Sequence, residues 1–246
     1  MSTCSIQLLI DPADLEAIRS AHGNIVLARP ANDGHSPHVI WQSFTPDEDN
    51  TVAWSDDYAV YAANTPLKHG ARIFPAHSMP YPAMAAGSYV FTGDARFHGP
   101  YASEGALSDK QFCIYNEVPC AHYPALTFGL AQTALINGAP STVRPISAQS
   151  IAAHQAAVFS PLNTVHIWLQ AELASGAVQT YLPEAVTTVQ LGRISHAQTL
   201  KFDAAQGVFL PYSFAKRNFI LSMPNVIWPG SVGDLLRQKQ ASRRAA

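Results

Sequence analysis

Asp94, Arg96 and His98 occupy alternate positions in Gly93-Asp94-Ala95-Arg96-Phe97-His98-Gly99-Pro100-Tyr101, and Glu104 closes the same polar stretch. In extended backbone, residues two apart point the same way, which would set an acid, a cation and an imidazole side by side. A neutral imidazole beside a carboxylate serves as general acid or base near pH 7, and a guanidinium clamps an anionic or carbonyl oxygen. His98 is therefore the expected proton-transfer group, Asp94 its orienting partner and Arg96 the oxygen clamp. Tyr101, by stacking, and Glu104 are expected to contact a ligand. Only 13% of the 246 residues are charged, so this density of reactive types singles the segment out. Gly93, Gly99 and Pro100 predict a loop across 93–104.

A second irregular segment, Pro75 to Gly87, carries His77, Met79, Tyr81 and Met84 among three prolines. Proline cannot donate to a ladder, so this is no regular central strand. Long ordered loops on a β scaffold are where function concentrates, which makes His77 and Tyr81 further ligand contacts. His77, Met79 and Met84 are also donor types that suit soft copper.

For a divalent metal, His35 and His38 lie near one turn, and Asp47 of the acidic run Asp47-Glu48-Asp49 lies across the hairpin that His38 begins. Two imidazoles and a carboxylate hold Zn or Fe with open positions. No other cofactor is expected. Cys120 with His122 is the one plausible cysteine nucleophile, although Pro119 and Pro124 flank it with irregular backbone. Familiar nucleotide loops are missing: there is no Gly-x-x-x-x-Gly-Lys-Ser/Thr and no helix-opening Gly-x-Gly-x-x-Gly. The Gly-x-Ser-x-Gly elbow of serine hydrolases is missing too.

The elements that must position these groups are mostly strands. Asp11 as N-cap, Pro12 at the first helical position and Gly23 as stop predict one helix over Pro12 to His22. Thereafter the apolar period changes from 3.6 to 2. Strands are expected at 24–29, 38–44, 51–54, 58–62, 71–74, 88–92, 110–118 and 126–136. More follow at 142–151, 156–159, 164–173, 177–182, 186–191, 199–203 and 208–210, with turn residues between them. Ala148 to Ala157 competes as a helix on propensity alone. Trp41 and Trp168 fit a core between sheets, and His166, on the same side of its strand as Trp168, fits a satisfied core histidine. This is the pattern of an all-β, antiparallel β-sandwich or barrel-like single domain over 1–246. It has a short N-terminal helix, a β core over about 24–211 and a C-terminal helical tail over 212–246.

Composition narrows the partners. Net charge is −2 and the isoelectric point near 6.5, which argues against nucleic acid in spite of Arg237, Lys239, Arg243 and Arg244 near the end. No run of about 18 apolar residues predicts a spanning helix. Three scattered cysteines, no Asn-x-Ser/Thr sequon and no signal-like start predict a cytoplasmic protein. Scarce surface charge predicts a homo-oligomer. The function expected is lectin-like binding of a small polar molecule or glycan through loop and aromatic residues. The alternatives are a cofactor-light enzyme of hydrolase, isomerase or cyclase type using the His/Asp/Arg loop, and a membrane-active or self-assembling protein.

Overall fold

The structure, a computed structural model, describes residues 3–30, 38–78, 81–102, 107–192 and 196–213. His35, Glu104, Met79 and the tail expected to be helical beyond residue 213 lie outside them. In chain order the elements are β1 (Thr3–Leu9), α1 (Pro12–Ser20), β2 (Gly23–Ala28), β3 (His38–Phe44), β4 (Asp49–Ser55), β5 (Ala59–Ala63) and β6 (His77–Ser78). Next come β7 (Gly87–Phe91), β8 (Phe97–Ala102), β9 (Phe112–Asn116), β10 (Ala125–Gln132), β11 (Leu135–Ile136), β12 (Ala139–Pro140) and β13 (Arg144–Pro145). The series ends with β14 (Gln149–Ala152), β15 (Gln155–Phe159), β16 (Thr164–Ala171), β17 (Val178–Gln179), β18 (Thr187–Gln190), β19 (Ala197–Asp203) and β20 (Val208–Pro211).

The protein is all-β apart from α1, among the described residues. Asp11 stands at the N-cap, but its carboxylate makes no capping bond and reaches Lys201 at 2.9 Å instead. The helix stops two residues short of the expected end: His22, not Gly23, takes the left-handed conformation (φ 53°), and Gly23 opens β2. The Ala-rich stretch 148–157 is not helical: it forms β14, a turn at Ala153-His154 with His154 at φ 61°, and the start of β15, and it sends Ile151 into the core.

Four sheets result. One runs β12-β11-β4-β1-β19-β20, a second β13-β10-β5-β6 with β14 beside β10, a third β15-β9-β7-β8, and a fourth β17-β3-β2-β16-β18. The ladders are antiparallel except β1–β19 and β7–β9, which are parallel. That departs from a wholly antiparallel expectation; in both cases the intervening chain is long enough for a crossover. All four sheets send side chains into one core, among them Leu8, Leu27, Phe91 and Phe128. Trp41 and Trp54 meet edge to face there, 5.3 Å apart. Of two smaller clusters, one joins Val39 and Val178 of the fourth sheet to Tyr61 and Ala131 of the second, and the other, Val26, Ala28, Ile40, Trp168 and Ala177, lies on the face of the fourth sheet turned away from Ile25 and Leu27. Trp41 and Trp168 are buried as expected.

Two expectations fail at the edges of the pattern. The stretch 71–74 makes only an isolated bridge, Arg72 to Ala177. Phe97–Ala102, read as loop, is β8: Gly99 absorbs the irregularity at φ +115°, where an added Cβ would sit 2.6 Å from the Ser88 carbonyl oxygen. No helix of the described residues is long and apolar enough to cross a membrane.

Candidate functional site

The turn between β7 and β8 does bring Asp94, Arg96 and His98 together, by a different route from the one expected. Ala95 turns the chain at φ 62°, with Ala95 N–H donating to the Thr92 carbonyl and Thr92 N–H to the Arg96 carbonyl, both at 3.0 Å. The organising group is the Thr92 hydroxyl. It donates its single proton to the Asp94 carboxylate, and His98 Nε2 lies 3.1 Å from it. A hydroxyl that has given its proton to Asp94 can only accept from His98, so Nε2 carries the hydrogen. Asp94 therefore orients His98 through Thr92, the direct His98–Asp94 distance being 4.0 Å. The Thr92 hydrogen bond holds the Asp94 carboxyl below its ordinary pKa. Arg96 Nε is 4.0 Å from Asp94, on a side chain that is 79% exposed.

Directly beside this turn is an open cleft of about 210 Å³. Its floor is apolar, made of Ala62 and Ala63 from β5, Phe91 from β7, and Val118 and Leu126. Its polar groups are Asn64, His77, Thr92, His122 and Tyr123. The chain converges here for local reasons. The short edge strand β6 pairs His77 with Ala62, and its imidazole leans on Phe91 with ring centres 5.7 Å apart. Gly93 lets the β7–β8 turn close on Pro119, where an added Cβ would come within 3.3 Å of the proline ring. His122 N–H then donates to the Pro119 carbonyl at 2.9 Å, folding 119–122 over as the opposite wall. Among the described residues no Asp, Glu, Lys or Arg lines the cleft.

Among the residues singled out from sequence, His77 lies inside this cleft, and Asp94, Arg96 and His98 sit just outside it, joined to it by Thr92. Tyr101 does not: it is 52% exposed at the far end of β8, about 13 Å from Phe97 along the strand. Tyr81 is elsewhere, its hydroxyl near the Asp57 carbonyl and the Thr133 hydroxyl at 3.4 and 3.3 Å. His38 and Asp47 are separated by the length of β3, about 20 Å, and Asp47 is engaged by Arg19 at 2.5 Å. Among the described residues no group of three His, Cys, Asp or Glu is placed to hold a metal. Cys120 is an exposed free thiol in the turn that leads to His122.

Sequence reasoning missed Asn64, Thr92 and Tyr123, and it weighed His122 only as a partner for Cys120. Thr92 immediately before Gly93-Asp94, and a His-Tyr pair between Pro119 and Pro124, were the signals available. Comparison with family models, curated proteins and solved structures finds no match to this chain.

Proposed function

We propose that the protein binds a small neutral molecule, of the size and character of a sugar, in the cleft between the β7–β8 turn and the 118–126 wall. In this reading the four sheets pack as a lectin-like β sandwich and the cleft is its ligand site. The observation that carries it is the lining. Five hydrogen-bonding side chains from four segments surround an apolar floor without one formal charge among the described residues, the makeup of a pocket for an uncharged ligand with both polar and apolar faces. Tyr123, 48% exposed at the mouth, offers an aromatic face for stacking.

The test is a screen of immobilised glycans followed by calorimetry with the neutral mono- and disaccharides that bind. Thr92→Val, His77→Ala and Tyr123→Ala are each expected to weaken binding about tenfold, the loss of one good hydrogen bond or stacking contact. Saturable binding that survives all three substitutions would move the site elsewhere, and absence of binding to any neutral ligand would end the reading.

A second reading, proton transfer by His98, has the Asp94–Thr92–His98 chain in its favour. If bound ligand is turned over, His98→Ala abolishes turnover without changing affinity.

A further inference from the structure

The outer face of the fourth sheet holds a cluster outside the cleft. Antiparallel register sets Gln179 of β17 directly opposite His38 of β3, so both side chains leave the same face, with Cβ atoms about 4.5–5.5 Å apart. His166 of β16 stands on that face too, as the partner of Ala28, and its ring centre is 5.5 Å from that of His38 with the planes at 85°. Two buried polar atoms here have no hydrogen-bond partner: His38 Nδ1 and Gln179 Oε1. Gln179 is only 2% exposed, so its amide oxygen is out of reach of bulk water. An amide oxygen is purely an acceptor and an unprotonated ring nitrogen is one as well, so a group that satisfies both must be electron-poor.

His166 completes the set. Its Nδ1 is 3.0 Å from the Thr188 hydroxyl on the neighbouring β18. When Nδ1 donates there, Nε2 carries the lone pair and points roughly the other way across the sheet, toward β2 and β3, where His38 stands. We propose that His38, His166 and Gln179 form a binding site for a borderline divalent metal ion of the Zn²⁺ class, with the remaining position open to water.

The ring spacing fits that assignment. A Zn–N bond of about 2.0–2.1 Å plus about 1.1 Å to the ring centre places two tetrahedral imidazoles with centroids about 5.2 Å apart. Imidazole with a neutral oxygen suits Zn, Cu or Ni rather than Mg or Ca. The hydrogen bond from His166 Nδ1 to Thr188 is the outer contact that fixes the tautomer of a metal-ligating histidine. Leu173, Leu182 and Val186 pack on the same face and keep it apolar around the polar cluster.

The experiment is titration of the chelator-treated full chain with ZnCl₂ alone, read by calorimetry and by imidazole nitrogen NMR. One equivalent is expected, with the ring resonances of His38 and His166 moving and those of His77 and His122 unmoved. His38→Ala and His166→Ala are each expected to weaken binding more than about 100-fold, beyond the range for losing an outer contact, and Gln179→Leu about tenfold. His154→Asn, on the exposed turn between β14 and β15, leaves it unchanged. The NMR arm uses the native chain, so the test stands even if a variant does not fold. No saturable uptake at millimolar Zn²⁺, or shifts confined to other histidines, would overturn the proposal. Loss of sugar binding in the cleft would leave it untouched.

Discussion

Arg29 and Arg96 carry the same charge in opposite surroundings. Arg29, at the end of β2, is 2% exposed, with its guanidinium 5.4–5.9 Å from the ring centres of Trp54, Trp41 and Tyr58. It donates to Gln132 Oε1 and to the Leu162 carbonyl, and its Nε has no hydrogen-bond partner. Arg96 lies in solvent beside a carboxylate. The charge with the obvious ionic partner is the one water would serve as well, since exposed pairs contribute roughly 0–1 kcal/mol. The charge with aromatic faces and neutral oxygens is the one the fold depends on. Arginine cannot shed its proton, so a buried one must be met by electron-rich surfaces.

The contrast can be broken most directly at Arg29. Arg29→Ala strips Gln132 and the Leu162 carbonyl of a donor and opens a hole between three rings, and should cost about 3–5 kcal/mol in urea unfolding. Arg29→Met fills the hole without the charge and should recover at least half of that. If Met is as damaging as Ala, the charge itself is holding the aromatic groups in place.

Tyr58→Phe should cost about 1 kcal/mol, because its hydroxyl lies between Arg29 and Asp56, 3.3 Å from the latter.

His166 sharpens the comparison, being a half-buried cation-former that can discharge. Its folded pKa of about 4 lies below the ordinary 6.5, so the unfolded chain binds the extra proton. The neutral ring thus imposes no penalty above about pH 6.5, and stability falls as pH drops from there to about 4. Chemical unfolding across that window should show a shallower acid limb in His166→Gln than in the native chain.

The smallest effect belongs to the exposed turn: Asp94→Asn should leave the unfolding midpoint at pH 7 where it was. A clear loss there would make the Thr92 network a structural clasp.

What could be read in the sequence divides along the same line. β3 falls at His38–Phe44 as expected and β5 within one residue, because the change of period and the flanking turn residues are local signals. β1 falls outside the expected strands although Thr3–Leu9 alternates as regularly as any of them, because both of its partners, β4 and β19, come from elsewhere in the chain. The stretch 142–151 breaks into β13 and β14 because the Ser147 hydroxyl takes the Leu130 N–H that a ladder carbonyl would accept, and the Ser147 backbone lies so close to Gly129 that an added Cβ there would come within 2.0 Å of its carbonyl oxygen. At the cleft, Asp94, Arg96 and His98 were legible because charge is scarce in this chain. The uncharged wall at His122 and Tyr123 was not, because only tertiary contact between Gly93 and Pro119 brings it there. His166 read as a core histidine beside Trp168, and nothing local linked it to His38 or Gln179, which lie on other strands.

The parallel ladder between β1 and β19 has a consequence for how the chain is made. β1 leaves the ribosome well before β19 and finds β4 soon after, yet its other edge waits: Cys4 and His196, side by side in the finished fold, are 192 residues apart. Until β19 has emerged, a central strand of the six-stranded sheet has an open row of backbone donors and acceptors, the kind of edge that recruits other chains. Assembly of that sheet is therefore a late event set by long-range closure, and nascent chains arrested before residue 197 should aggregate where the full chain does not.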